Sequence, residues 1–326
     1  MNRFKVFVIA LVFISFKAFA CLNGETKILK NGAYAYEDYD GINPQGHNFF
    51  EGDFPRLIIE LDSLYKKTKD LDYLSDKGYL LIVLRKYDEA LKLYLNIEKS
   101  KPNRYSTASN LGTLYELMGE NQKAYNWIKK SIAINPKSHK GSEWLHLKIL
   151  EAKIKNLKDV SGQFLINTNF GTSHAPKTKL SQKDIDELAQ SIYFQVNERM
   201  SFIEPKDKII SILLFELGNL AELLGKNSSA LETYRTARKY GYEGDLIVER
   251  MINSSQNEIN YYRERAQSYG SQLRALRESK GNIYSGYISQ IEIIIVILSG
   301  IILIILIAFV ALFIKWKRLK KSTTTS

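Results

Sequence analysis

The chain has 326 residues, of which 45% are hydrophobic and 25% charged, a balance that is typical of globular proteins and excludes wholesale disorder. A formal net charge of +11 would suit a nucleic-acid-binding protein. The basic excess, however, lies largely at the two ends of the chain, so we expect no nucleic-acid partner. The terminal basic residues are Arg3, Lys5, Lys17, Lys315, Lys317, Arg318, Lys320 and Lys321.

Residues 1–20 predict a secretory signal peptide. Basic residues precede an apolar run over 6–16, and Ala18-Phe19-Ala20 has the small residues of a cleavage site. The run is too short to span a bilayer of about 30 Å. We therefore expect the mature chain to be exported and to begin at Cys21.

Cys21 is the only cysteine, so an intrachain disulfide is excluded. A cysteine at the first mature position is where bacterial lipoproteins receive lipid, although the residues before it fit the lipoprotein pattern poorly. Lipidation and an ordinary thiol beside a conventional cleavage site both remain open.

Residues 21–54 predict an N-terminal extension. Asn31-Gly32 lies between apolar residues, which is typical of the turn of a small hairpin. Asp53 and Pro55 then predict the start of a helix over about 54–68, with Asp53 as its N-cap.

A period of 34 residues is the strongest signal in the sequence. It appears at 71–104 and 105–138, and a third copy lies at 211–244. The matching positions are Gly78, Leu81, Ala90, Tyr94 and Pro102 in the first copy, Leu111, Gly112, Tyr115, Ala124, Ile128 and Pro136 in the second, and Leu217, Gly218, Ala221, Ala230, Tyr234 and Ala237 in the third.

This pattern resembles the tetratricopeptide-repeat (TPR) family. The resemblance implies an all-α fold, an α-solenoid of antiparallel helix pairs over 55–244, in which the glycines lie where helix A comes closest to helix B. Between 139 and 210 we expect one or two divergent repeats, with helices over 141–157 and 182–200 and an irregular insertion at about 158–181. Ser181 and Asp184 predict a capping box at the start of the second helix.

The resemblance also implies a concave groove lined by positions 2, 5, 9 and 12 of each helix A. These positions predict a partner-binding surface for a protein or peptide segment. The clamp by which some family members grip a terminal carboxylate is not expected, since only Asn219 resembles it. The predicted residues are Asp72, Ser75, Tyr79 and Ile82, then Ser106, Ser109, Thr113 and Glu116, and finally Ile212, Phe215, Asn219 and Glu222.

Residues 245–290 predict a juxtamembrane amphipathic helix or stalk, because apolar residues recur there at spacings of 3 and 4 over 248–287. Two interpretations remain open. The stripe could be the seam of a homodimer, or it could pack on the last repeat as a cap, which Gly270, Gly281 and Gly286 favour by weakening a continuous helix.

Residues 291–314 predict a single transmembrane helix, because Ile293–Ile314 carries no charge and is about 33 Å long as a helix. The basic tail at 315–326 places the C-terminus in the cytoplasm by the positive-inside rule. We therefore expect a single-pass protein of the bacterial inner (cytoplasmic) membrane, with the repeat domain on the periplasmic side.

The sequence shows no pattern typical of an active site. His139 and His146 lie near Glu143 but do not have the spacing of a metal site, and no phosphate or dinucleotide motif occurs. We expect no cofactor, no metal and no enzymatic activity. The leading hypothesis is a membrane-anchored scaffold for protein or peptide partners in the cell envelope; the alternative is a sensory or regulatory subunit that relays ectodomain binding to a separate cytoplasmic partner.

Overall fold

The computed structural model describes residues 26–38 and 43–322, and along the last helix it describes the side chains of 246–277, 293–309 and 312. The predicted leader, Cys21 and the side chains of the basic tail lie outside the described residues. The chain divides into two units, Met1–Glu258 and Ile259–Ser326.

Two short antiparallel strands open the described chain: β1 (Thr26–Ile28) and β2 (Tyr34–Glu37), in the region where the sequence predicts a hairpin. Helix α1 (Phe54–Thr68) follows, with Pro55 in its first turn. The prediction that Asp53 caps this helix is wrong, because its backbone is already helical and its side chain accepts no capping hydrogen bond. The strands and α1 share an apolar core that includes Leu29, Tyr36 and Leu57.

Helix pairs lie where the repeats are predicted. They are α2 (Leu71–Val83) with α3 (Tyr87–Ser100), α4 (Tyr105–Leu117) with α5 (Asn121–Ile134), and α9 (Lys208–Leu223) with α10 (Asn227–Lys239).

The repeat glycines allow helix A to approach a large side chain of helix B. A Cβ added at Gly78 would lie 2.6 Å from the Tyr94 ring, and one at Gly218 would lie 2.4 Å from the Tyr234 ring. Tyr94 is fully buried, and its hydroxyl donates a 2.7 Å hydrogen bond to the Ser75 carbonyl of helix A. Each repeat glycine therefore faces the helix-B residue at repeat position 24, and not only the small alanine of helix B.

The middle of the array is irregular. It contains α6 (Glu143–Ile154), the short α7 (Gly162–Ile166) and α8 (Gln182–Met200). The predicted capping box of Ser181 and Asp184 is confirmed at the start of α8. Leu145, Ile192 and Leu213, from α6, α8 and α9, are fully buried in one apolar core.

The last helix, α11 (Leu246–Ser322), is continuous through Gly270, Gly281 and Gly286. Within the first unit its start packs on the last helix pair, where Ile247, Arg250 and Ser254 are buried. The predicted stripe residues Val248 and Ile252 are 46% and 65% exposed. The start of α11 therefore covers the last repeat, but with a different face from the predicted stripe.

Candidate functional site

A cavity of about 690 Å³ lies along the inner face of the first two repeats. Helices α2 and α4 form two of its walls. The hairpin and the C-terminal part of α8 provide the others, so the groove between the two A helices is partly enclosed. Its lining residues are Thr26 to Lys30, Tyr36, Asp72, Ser75, Asp76, Tyr79, Ile82, Tyr105, Ser106, Ser109, Asn110, Thr113, His139, Phe194, Glu198 and Phe202.

Most predicted groove positions of the first two repeats meet in this cavity. They are Asp72, Ser75, Tyr79 and Ile82 from α2 and Ser106, Ser109 and Thr113 from α4. The structure thus brings together two consecutive sets of side chains that the helical spacing assigns to one face.

Glu116, the fourth predicted position of α4, is instead held in a buried network of ion pairs. Its carboxylate lies 2.6 Å from His146 Nε2, 2.8 Å from Lys153 Nζ and 3.1 Å from Arg199 Nη2. Burial opposes ionisation, but Arg199 and Lys153, together with the hydrogen bond from His146, hold the pKa of Glu116 well below its usual value. Glu116 therefore joins α4 to α6 and α8, and it is a structural anchor beneath the groove.

Positions of the third repeat line a different cavity, of about 760 Å³, where Ile212, Phe215 and Asn219 lie beside the irregular insertion. Glu222 is buried and does not line it. Its carboxylate accepts a 2.7 Å hydrogen bond from Ser254 of α11. The predicted groove therefore does not run through all three repeats.

The first cavity contains residues that the repeat positions do not identify. Asp76 lies one helical turn after Asp72, and its carboxylate accepts a 2.5 Å hydrogen bond from the Lys30 backbone N–H. Burial raises the pKa of Asp76. The spacing of Asp72 and Asp76 could have indicated this face, whereas nothing local indicates that the hairpin lies over α2.

His47 ties the N-terminal segment to α8 at the cavity wall. Its Nδ1 lies 2.8 Å from Asp38 Oδ2, its Nε2 lies 3.1 Å from Glu198 Oε1, and its ring stacks on Tyr36. Burial lowers the pKa of His47, but Glu198 and Asp38 outweigh burial and raise the pKa to about 10. The imidazolium therefore neutralises Glu198, whose own pKa is lowered to about 2 despite burial.

A second cluster of ionisable groups extends from the cavity wall into the interior. His139 Nδ1 and His146 Nδ1 lie 2.9 and 3.3 Å from the two oxygens of Glu143, and the His139 ring stacks on Phe194. A spacing of seven residues would place the two histidines on one face of a helix, but His139 has a φ of +47° and precedes α6. Tyr105, whose hydroxyl lies 3.3 Å from His139 Nε2, has a pKa raised to about 12 by burial.

Within the part of the chain that the structure describes, no helical stretch combines the length and apolar character that crossing a bilayer requires. Six side chains of the predicted span 291–314, at 291, 292, 310, 311, 313 and 314, lie outside the described residues.

No protein-family model and no curated protein matches the chain. Similarity is found only to solved structures, of which the following three all have low sequence identity. The MamA RS-1 ArsTM double mutant is 13% identical with a TM-score of 0.32, over 57% of this chain and 84% of that one. TTC0263, a thermophilic TPR protein of Thermus thermophilus, is 13% identical with a TM-score of 0.32, over 64% and 92%. A tetratricopeptide repeat protein from Parabacteroides merdae is 15% identical with a TM-score of 0.27, over 63% and 93%. The chain is all-α in class, and its helix pairs resemble those of TPR proteins.

Proposed function

We propose that the protein is a membrane-anchored scaffold that binds a peptide segment of a partner protein, without catalysis, in the cavity between α2 and α4. The observation that carries the proposal is that seven predicted groove positions of two consecutive repeats line one cavity. The cavity offers hydroxyl groups, carboxylates and aromatic rings, which suit a segment held by hydrogen bonds and one or two anchor side chains.

In-cell photo-crosslinking of the full-length protein tests the groove. A photo-reactive residue at Ser106 would lie in the cavity, whereas the same residue at Lys92 would lie on the exposed face of the outer helix α3. We expect a discrete adduct from position 106 and none of the same mass from position 92. Equal adducts from both positions, or none from 106, would refute the groove.

The membrane anchor is proposed from the uncharged run Ile293–Ile314, with the N-terminal domain exported by the leader and the C-terminus in the cytoplasm of a bacterial cell. The large apolar side chains described over 293–309 are all exposed, and a bilayer would cover them. Cysteine labelling measures the topology: in a Cys21→Ser background, Glu264→Cys should react with an impermeant maleimide in intact spheroplasts, whereas Ser322→Cys should not. Release of the protein by alkaline carbonate would contradict the anchor.

A homodimer is proposed through the stripe on α11. In the second unit its larger apolar members, Ile259, Tyr262, Tyr269, Leu273 and Leu276, are between 50% and 61% exposed, and their spacing of 3 and 4 is that of a coiled-coil seam. In a Cys21→Ser background, Tyr262→Cys should form a disulfide between two copies. Glu264→Cys, on the opposite face, should not. If neither cysteine variant forms a disulfide-linked dimer, the proposed homodimer is contradicted.

The second candidate function, relay of ectodomain binding to a cytoplasmic partner, is favoured by one observation. Helix α11 is continuous from Leu246 to Ser322, and a continuous helix can transmit a rotation or a shift along its axis. Exchanging 293–314 for an unrelated apolar span distinguishes the two functions. A scaffold should still bind its partner in cells after the exchange. A relay should lose its effect on the cytoplasmic partner.

A further inference from the structure

The carboxylate of Asp76 lies deeper in the first cavity than the lysines that share it. Its side chain is 14% exposed, whereas those of Lys27 and Lys30 are 40% and 43% exposed. Both lysines belong to the hairpin at the edge of the cavity. Around Asp76 the cavity therefore presents a carboxylate on its inner side, and the two lysines that balance it stand at the rim.

Lys27 already shows what this surface attracts. Its Nζ lies 3.9 Å from Asp76 Oδ1 and 5.5 Å from the centroid of the Tyr79 ring. A carboxylate and the face of an aromatic ring both attract a cation. The contact is long and exposed to solvent, so it contributes little and is readily exchanged.

The remaining walls suit the apolar stem of a long side chain. Tyr36, Tyr105, Phe194 and Phe202 contribute rings to the same cavity. Lysine and arginine carry a hydrocarbon stem that packs on such surfaces while the charged head reaches a polar partner. At about 690 Å³ the cavity also leaves room for the neighbouring peptide backbone, which Ser75, Ser109 and Thr113 can hydrogen-bond.

We propose that the cavity between α2 and α4 takes a basic side chain, arginine or lysine, of the bound peptide, with its charged head between Asp76 and Tyr79 in place of the Lys27 ammonium. This assignment rests on the proposed peptide-binding function of the same cavity. An acidic side chain in that position would meet the Asp76 carboxylate and be repelled.

The test compares two small probes on the full-length protein in detergent. N-acetyl-arginine amide and N-acetyl-citrulline amide have nearly the same shape, but only the first is charged. We expect the arginine probe to bind up to about 5-fold more tightly in ligand-observed NMR titrations, which corresponds to one solvent-exposed ion pair.

Two variants act in opposite directions. Asp76→Asn keeps an oxygen for the Lys30 amide but removes the charge, and should weaken arginine-probe binding about 5-fold. Lys27→Gln removes the competing cation and should strengthen it, an effect that loss of folding would not produce. Asp88→Asn, the same change on the exposed face of α3, should leave binding unaltered.

Equal affinities for the two probes, an unaltered affinity in Asp76→Asn, or weaker binding in Lys27→Gln would overturn the assignment. Failure of both probes to bind, while the adduct from position 106 persists, would also overturn it and leave the peptide-binding function standing. Loss of the position-106 adduct as well would refute both the basic side-chain assignment and the peptide-binding function.

Discussion

Glu216 makes the stability of the repeat domain depend on pH in a direction opposite to that of the ion-paired carboxylates Glu116 and Glu198. Its side chain is 7% exposed in α9, and Gly162 leaves it just enough room, since a Cβ there would lie 1.8 Å from Glu216 Oε1. Burial raises the pKa of Glu216 from 4.5 to about 7, although the hydrogen bond from Asn219 and the charge of Arg250 act against it.

The magnitude follows from the two pKa values. Below pH 4.5 the carboxyl group is protonated in both the folded and the unfolded chain, so it imposes no electrostatic cost. Above pH 7 it is ionised in both, and the folded state carries a penalty of about 3 kcal/mol, because one pKa unit is worth about 1.4 kcal/mol. The folded state therefore loses stability relative to the unfolded state as the pH rises from about 4.5 to 7.

Glu216→Gln should remove this pH dependence, because an amide does not ionise. The hydrogen bond is kept, since the amide oxygen can still accept from Asn219. We expect its free energy of unfolding to be close to wild type at pH 4.5 and up to about 3 kcal/mol higher at pH 8. Urea unfolding of the full-length protein in detergent, followed by tryptophan fluorescence, measures both values. Glu243→Gln, an exposed carboxylate at the same cavity, is the matched control. If the difference between Glu216→Gln and wild type is the same at both pH values, Glu216 is ionised in the folded protein and the reasoning is wrong.

Three further outcomes follow from contacts described above. Gly112→Ala should lower the free energy of unfolding by about 1 to 2 kcal/mol in urea titrations, because its Cβ would lie 2.2 Å from Ile128 Cδ1 and the gain in helix propensity offsets only part of the overpacking. Glu116→Leu should cost about 3 to 5 kcal/mol in the same assay, because Arg199 is then left buried without its carboxylate partner; a loss below about 1 kcal/mol would contradict the ion-pair network. His47 stabilises the fold in its charged form, and this contribution is complete below pH 6.5 and lost as pH rises through about 10. His47→Gln should therefore lower the amide-exchange protection factors over 43–50 relative to wild type at pH 7. The difference in protection between variant and wild type should be small at pH 10.

The sequence predicts the helix pairs because their constraints are local and recur. Gly112 and Gly218 occur at one position of a 34-residue period, since each must leave space for a side chain of the paired helix. The inner positions of α2 and α4 follow from the same period, because one face of each helix lies toward the cavity.

What the sequence does not predict depends on contacts between distant parts of the chain. Glu116 has the repeat position of a groove residue, but Arg199 lies 83 residues away and draws it into the interior. The stripe begun by Val248 and Ile252 has the period of a packing face, yet residues on another face make the contacts: Arg250 donates to the Gly171 carbonyl of the insertion, and Ser254 donates to Glu222 of the third repeat. Periodicity identifies an apolar face but does not identify what covers it.

The segment at 43–47, which lies between the hairpin and α1, is held by α10 of the last helix pair and by α8. Thr233 of α10 donates a 2.8 Å hydrogen bond to the Asn43 side chain, and Asn197 of α8 accepts from the backbone N–H groups of Gln45 and Gly46 at 3.0 and 2.9 Å. An open array of repeats contacts only neighbours and can fray from either end. Here α10 of the last pair also holds the segment that leads into α1, so the last pair cannot detach without releasing this segment, and removing the last pair should loosen the N-terminal end of the array too.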